Sequence, residues 1–308
     1  MFDFVTTAPT ADGSFDVLWQ HGSDSDVPIQ VHNYDRHTVI LRQSKALTFE
    51  APFIYLLFGN ERALLLDTGA TSDPATFPLR ATVDGLIDQW LDGRSVDGYG
   101  LVVAHTHGHG DHRAADGQFA DRPDTTVVPL DADEMRSFFG LHGHEVVEFD
   151  LGGRVLEIID SPGHHRAAIT TYDPWSGILL TGDTVLPGRL YAFDYPAFVQ
   201  TMQRLVAFTQ RRTVTHVLGG HIEMTSRPGR DFPFGARFHP SERRLQMTVA
   251  QLVDVRDAAV AAVGRKGRHR HDDFILYNQP GTWASLKLIA RGQLHRAWAA
   301  LSGRRRRR

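Results

Sequence analysis

The sequence predicts a layered α/β fold, and three observations carry that expectation. Apolar runs of strand length recur along the chain, among them residues 101–104 and 178–181. Stretches with the spacing of amphipathic helices lie between them, an alternation that builds stacked layers rather than an all-β domain. Turns bearing histidine and aspartate follow the strands directly, which is where layered α/β folds usually carry their chemistry.

Residues 1–35 are polar and rich in Gly, Asp and Ser, a loose lead-in with one strand expected near residues 15–19. Residues 38–42, 53–59 and 63–66 are β-rich runs, and Gly59-Asn60-Glu61-Arg62 reads as the hairpin connection between the last two. Over residues 82–91, Val83, Leu86, Ile87, Trp90 and Leu91 share one helical face, and Gly93 sits where the helix should stop. The strand at 101–104 opens into a His-rich loop, followed by a short helix over 114–119 and strands at 125–130 and 155–159. The strand at 178–181 ends at Asp183. Pro196 suits a first helical turn, and Phe198, Val199, Met202, Leu205 and Val206 continue the spacing to Thr209. A strand at 214–218 then precedes His221.

Beyond residue 225 the composition shifts, beginning with an irregular connector over 227–235. Thr248 and Gln251 have capping-box spacing ahead of an apolar stripe of Leu252, Val255, Ala259, Val260 and Val263, which ends at Gly264. Residues 272–277 read as a short strand or turn, and 282–298 as a second amphipathic helix. The expected division is a main domain over 1–235, a mainly helical C-terminal cap over 236–303, and a disordered arginine tail at 304–308.

With 308 residues the chain can bury a large core, and 42% hydrophobic and 22% charged residues are ordinary for a globular protein. The formal net charge is −3, but the tail supplies five of the 33 basic residues, leaving 28 against 36 acidic ones. An acidic body repels a phosphate backbone, so a small-molecule substrate is expected rather than nucleic acid. No apolar run reaches membrane-span length, and Met1-Phe2-Asp3-Phe4 does not open a signal peptide. Together with the absence of cysteine, this gives an expected cytoplasmic location and no membrane partner. A homodimer contact is one use for the C-terminal cap.

The chemistry concentrates in His105-Thr106-His107-Gly108-His109-Gly110-Asp111-His112, four imidazoles and a carboxylate within eight residues. Imidazole and carboxylate are the donors that zinc and other borderline divalent cations take, and the glycines let the backbone curl so that side chains converge. The spacing splits the donors: His107 and His109 to one ion, Asp111 and His112 to another. With no cysteine, any metal is held by His and Asp alone.

This His-x-His-x-Asp-His pattern resembles the signature of the metallo-β-lactamase superfamily. Four further segments resemble the family in the right order: Asp67-Thr68-Gly69, Pro162-Gly163-His164, Gly182-Asp183 and Gly219-Gly220-His221. The resemblance covers about residues 50–225. It implies a four-layered αββα sandwich, here with a C-terminal mainly helical extension, and two divalent ions, zinc first and manganese or iron as alternatives. It places His107, His109 and His164 on one ion, Asp111, His112 and His221 on the other, and Asp183 bridging both.

The function it implies is hydrolysis, a metal-bridging hydroxide attacking an ester, thioester or lactone carbonyl, with Asp111 relaying a proton. A phosphodiesterase or β-lactamase on the same donors is the alternative. No cysteine ligand or basic nucleic-acid groove favours either. A non-hydrolytic iron protein is a further class, but the similar di-iron flavoproteins carry Glu where this chain has His109. Asp67 is expected to orient a ligand, and His105 to point away from the metals. His165, Tyr191 and Tyr195 are weaker pocket candidates. The similar lactonases place a tyrosine nearer the bridging Asp, where this chain has Leu186. His142, His144, His239, His269 and His271 lack metal spacing and are expected to be surface or structural residues.

Overall fold

The computed structural model describes residues 13–23, 25–92, 98–142, 146–281 and 290–293. Two six-stranded sheets face each other. The first runs in chain order, β1 (Ile29–Asn33), β2 (Thr38–Gln43), β3 (Phe53–Phe58), β4 (Arg62–Leu66), β5 (Gly100–Ala104) and β6 (Thr125–Val127). It is antiparallel as far as β4 and parallel from there to β6. The second is ordered β13 (Gln246–Met247), β12 (His216–Gly219), β10 (Ile178–Gly182), β9 (Ile169–Asp173), β8 (Val155–Asp160) and β7 (Val146–Asp150). Only its β10–β12 pair is parallel.

Alternation along the strands decides the layers, because successive side chains point to opposite faces. Phe53, Tyr55 and Leu57 of β3, Leu64 and Leu66 of β4 and Val102 of β5 meet Leu156, Ile158, Ile178, Leu180 and Leu218 between the sheets. The intervening residues Ile54, Leu56, Leu65 and Val103 face outward, where α1 (Leu79–Leu91) covers them with Leu79, Val83, Ile87 and Trp90. On the far side Ile159, Leu179 and Val217 are covered by α4 (Tyr195–Thr209) and α5 (Val249–Ala261). Helix, sheet, sheet, helix is the four-layered α/β sandwich that the resemblance implies, and its layers are the stacking that the alternation predicts.

A third, three-stranded sheet joins β11 (Arg189–Ala192), β15 (Ile275–Asn278) and β14 (Gly267–Arg270). Of the segment past residue 235, the described residues thus hold α5 (Val249–Ala261), three strands and the helical residues 290–293. β13 is hydrogen-bonded to β12, and α5 opens on the predicted capping box of Thr248 and Gln251. The amphipathic helix expected over 282–298 lies outside the described residues apart from 290–293, as do Gly93, His144 and the arginine tail.

Two local expectations are corrected. Residues 15–19 form no strand: Phe15 and Trp19 act as ring anchors, 5.0 Å from Tyr34 and 4.9 Å from Phe53, and the edge strand is β1 instead. The helix expected over 114–119 is a 3₁₀ turn at Asp116–Phe119, preceded by the single turn α2 (Gly110–Arg113). An additional helix, α3 (Ala132–Phe139), is capped by the Asp131 carboxylate and stopped by Gly140 at φ 74°. No helix among the described residues is long and apolar enough to cross a membrane.

Candidate metal centre

The site lies where the strand ends of both sheets meet. β4 ends at Asp67, which takes a left-handed backbone conformation (φ 72°) that Asp tolerates better than most residues. Its N–H donates to the Ala104 carbonyl at 2.8 Å, tying the ends of β4 and β5 together. From β5 the chain passes through His105 and Thr106 into the loop that carries His107 and His109, and α2 then presents Asp111 and His112. β8 leads to His164 and β10 to Asp183. β12 leads to His221, whose loop is fixed by the Tyr55 hydroxyl donating to Gly219 O at 2.7 Å and by Phe53 N–H donating to Gly220 O at 2.8 Å.

Seven predicted residues come together in two groups that could hold a metal ion. His107, His109 and His164 form one; Asp111, His112, Asp183 and His221 form the other, the donor atoms of each group all lying within 4.8 Å of one another. In the first, His109 Nδ1 is 2.8 Å from His107 Nε2 and 3.1 Å from His164 Nε2. In the second, His112 Nε2 and His221 Nε2 stand 3.2 Å apart, and Asp111 Oδ2 is 3.3 Å from His221 Nε2. Asp183 lies between the groups. Its Oδ1 is 3.5 Å from both His112 Nε2 and His221 Nε2, and its Oδ2 is 3.8 Å from His164 Nε2.

Four of the imidazoles are oriented through their other nitrogen. His112 Nδ1 is 2.8 Å from Asp67 Oδ2, His164 Nδ1 is 3.0 Å from Tyr191 O, and His221 Nδ1 is 2.9 Å from Glu50 O. His107 Nδ1 lies 3.2 Å from Thr106 Oγ1. A hydrogen bond at Nδ1 leaves Nε2 turned into the cluster, the orientation that metal-binding histidines need. Asp67 also accepts from Thr106 N–H at 2.7 Å and is fully buried, so it orients His112 and the loop together.

The electrostatics separate the groups. Burial, reinforced by neighbouring imidazoles, keeps His107 neutral with a pKa well below the ordinary value, and burial lowers His164 to about 4. Burial opposes charge on His221 too, but Asp183 and Asp111 overcome it and lift its pKa to about 9. His112 is likewise held well above the ordinary value by Asp67 and Asp183 despite its burial. Burial also disfavours the Asp183 carboxylate, yet His221 and His112 hold its pKa well below the usual range.

Two features fit a bound cation. Asp183 Oδ1 is buried and has no hydrogen-bond partner, an arrangement that costs stability unless something else binds there. At Gly220 a Cβ would lie 2.8 Å from Asp183 Oδ1 and 2.8 Å from His112 Cε1, so glycine keeps the space beside the donors open.

The other predicted residues divide. His165 is half-buried with its ring 5.1 Å from that of His109, beside the first group. The Tyr191 ring packs at a tilt against that of Tyr277, 5.0 Å between centroids, and its hydroxyl is buried without a hydrogen-bond partner. The structure does not bring Tyr195 to the site: its hydroxyl donates to Ala259 O at 2.7 Å, because the first turn of α4 packs it against α5. His105 turns away to Asp116 at 2.8 Å. Leu186 packs in the core between the second sheet and α4. His239 is buried against Phe232, their ring centroids 3.9 Å apart, and His271 stacks on Phe274 at 4.6 Å. Sequence reasoning missed Glu50, which holds His221 through a main-chain carbonyl that no side-chain pattern reveals, and Phe193, 53% exposed beside His164.

Comparison with known proteins decides the family. The family model described as the metallo-beta-lactamase superfamily matches residues 47–264. The chain belongs to this superfamily. Among curated relatives, the hydroxyacylglutathione hydrolase of Rhizobium meliloti (strain 1021) is 28% identical over 123 residues, 38% of this chain and about half (48%) of that protein. The human acyl-coenzyme A thioesterase MBLAC2 is 26% identical over 204 residues, 55% of this chain and 72% of the relative. A hydroxyacylglutathione hydrolase of Synechococcus sp. (strain JA-3-3Ab) is 28% identical over 240 residues, 76% of this chain and 87% of that one. Among solved structures, the DIM-1 metallo-beta-lactamase exposed to ceftazidime aligns with TM-score 0.50 at 14% identity, over 77% of this chain and all of that one. That likeness establishes the superfamily fold.

Proposed function

We propose that this chain is a binuclear metal-dependent hydrolase of acyl compounds, with thioesters the foremost class and esters and lactones next. The observation that carries the proposal is Asp183, a carboxylate between two donor groups with one oxygen toward each, whose buried Oδ1 has no hydrogen-bond partner. In this reading His107, His109 and His164 hold one ion, Asp111, His112 and His221 hold the other, and Asp183 serves both. All-His/Asp donors suit zinc, and also manganese or iron. Two such cations supply Lewis acidity and a water-derived nucleophile at neutral pH.

The protein's own residues do the rest. Asp67, Tyr191 O and Glu50 O keep three Nε2 atoms aimed inward. The Asp111 side chain, 24% exposed, is placed to pass a proton from the cluster to a departing thiolate. Phe193 and His165 offer apolar and polar contacts to the acyl group at the mouth. Thioesters are favoured because the relatives' names describe an acyl-coenzyme A thioesterase and hydrolases of hydroxyacylglutathione.

The test is metal analysis of the purified chain with a screen of thioester, p-nitrophenyl ester, lactone, phosphodiester and β-lactam substrates. Two ions per chain with thioester turnover is the expected result. One ion at saturation, or phosphodiester turnover without carbonyl turnover, overturns the proposal.

A further inference from the structure

Just past His221 the chain makes a hairpin. Met224 bridges Asp231 in antiparallel fashion, Thr225 N–H donates to Arg230 O at 2.8 Å, and the tip is Arg227-Pro228-Gly229-Arg230. Gly229 has φ 67°, and a Cβ there would lie 3.3 Å from Arg270 Cδ, so the tip closes tightly against the Arg270 stem from β14. These elements wall a cavity of about 520 Å³ lined by Arg227, Arg230, Arg270 and Arg291 and by the hydroxyl residues Thr225, Ser226 and Ser241.

The charge of this cavity is unbalanced. Among the described residues its one acidic wall residue is Asp231, already engaged by Arg189 at 3.0 Å and Arg291 at 2.8 Å. Arg227, Arg230 and Arg270 are exposed, and no ion pair among the described residues neutralises them. Three uncompensated guanidiniums around one cavity stand out on a chain whose body is acidic. Guanidinium groups with neighbouring hydroxyls are donors for phosphate oxygens.

The cavity is also mechanically tied to the metal centre. Arg189 on β11 pairs with Asp231 in the cavity wall and with Glu223, two residues after His221. From His221 to Arg227 is six residues, at most about 20 Å of chain. We infer that this arginine cavity is a phosphate-binding subsite for the leaving-group end of the substrate, a carrier thiol whose long arm ends in phosphate. The inference rests on the hydrolase reading above and deepens it: the acyl carbonyl lies at the His/Asp cluster and the carrier's phosphates lie among Arg227, Arg230 and Arg270. Water adds to the carbonyl carbon, the C–S bond breaks, and the thiolate leaves protonated, so the phosphates take no part in the chemistry and act on binding alone.

The experiment compares the full-length wild type with the triple variant Arg227→Gln, Arg230→Gln, Arg270→Gln, whose changes lie on exposed side chains. Acyl-coenzyme A and the same acyl group on N-acetylcysteamine, which lacks phosphate, are the two substrates. The triple variant is expected to raise KM for the coenzyme A thioester at least about tenfold, the loss of one strong charged contact or more. Its kcat, and its KM for the N-acetylcysteamine thioester, should stay unchanged. Calorimetric titration with adenosine 3′,5′-bisphosphate gives a readout independent of turnover: binding to the wild type, weakened in the variant. Equal KM for coenzyme A thioester in both proteins, or equal bisphosphate affinity, overturns the subsite. Absence of turnover on any thioester while the bisphosphate still distinguishes the two proteins would instead sink the hydrolase reading and leave the anion site standing.

Discussion

Two buried polar clusters sit in the same sandwich and are built on opposite principles. Around Arg154, every hydrogen bond closes inside the protein. The guanidinium reaches Asp173 at 2.7 and 3.2 Å, Phe58 O at 3.1 Å, His37 O at 2.5 Å and Thr38 Oγ1 at 2.8 Å, and Asp173 also accepts from Ser176 and Trp175. The candidate metal centre crowds five imidazoles and two carboxylates together and leaves Asp183 Oδ1 without a hydrogen-bond partner. A cluster that serves stability satisfies its own donors and acceptors, whereas one that serves a ligand holds them apart.

The largest effect should come from breaking the closed cluster. Arg154→Ala strands the buried Asp173 carboxylate, and removing one partner of a buried pair costs about 3–5 kcal/mol. Urea unfolding should show that loss, while the metal content of the folded fraction stays at the wild-type value. A loss below about 1 kcal/mol, the scale of an exposed pair, would mean that the cluster does not bind the sheets together.

The open cluster should respond in the opposite sense. Asp183→Asn is nearly isosteric and should fold with an unchanged circular dichroism spectrum. An amide lacks the charge to face two cations, so metal binding should weaken and hydrolysis fall by at least about 10²-fold, the scale of losing a major electrostatic element. Near-normal turnover and metal content would make Asp183 a turn-capping residue, for which Asn is a good substitute.

How much of this was legible in the sequence follows the same division. That seven His and Asp residues would gather at one place was readable because they follow apolar runs, so each strand announces the candidate ligands past its end. The partners that orient them were only partly readable. Asp67 lies in a recognisable turn, but Glu50 acts through its carbonyl and Asp116 reaches His105 from a 3₁₀ turn. The missed strands lacked the apolar signal. β9 carries Thr170 and Thr171 into the interior, where the Thr170 hydroxyl is satisfied by Ser161, and β7 alternates exposed and half-buried residues at a sheet edge. α3 did carry a signal, an Asp131 cap three residues before Glu134 and a stop at Gly140, but its eight residues are too few to show a full apolar stripe.

A second buried ion cluster gives a smaller, pH-dependent effect. Glu242 lies beneath Arg42, Lys45 and His239. Burial opposes its charge, but Arg42 and the His239 contact prevail and bring its pKa down to about 2 from 4.5. A carboxyl depressed in the folded state contributes stability above its unfolded pKa, and that stability is lost as pH falls from about 4.5 through about 2. Burial lowers neighbouring His239 to about 4, so the unfolded chain takes up its proton first and the loss begins near pH 6.5. Glu242→Gln should cost on the order of 2 kcal/mol at pH 7 and flatten the stability profile below pH 4.5. A variant with the wild-type slope there would show that Glu242 is not held ionised by its partners.

The smallest effects test the contrast one hydroxyl at a time. Tyr195 and Tyr191 lie four residues apart and are both removed from bulk water, but the Tyr195 hydroxyl donates to Ala259 O at 2.7 Å whereas the Tyr191 hydroxyl has no partner. Tyr195→Phe removes a made hydrogen bond and orphans a buried carbonyl, so it should cost about 1 kcal/mol of stability. Because that bond joins α4 to α5 on the far side of the second sheet, kcat and KM should not move. Tyr191→Phe removes a hydroxyl that is desolvated without compensation, so its stability should equal or exceed that of the wild type. Its main chain still holds His164 Nδ1 through Tyr191 O, which leaves metal content unchanged. Any change in KM or kcat of that variant would then come from the hydroxyl meeting substrate. A Tyr191→Phe protein destabilised as much as Tyr195→Phe would place a structural partner on that hydroxyl and remove it from the open class.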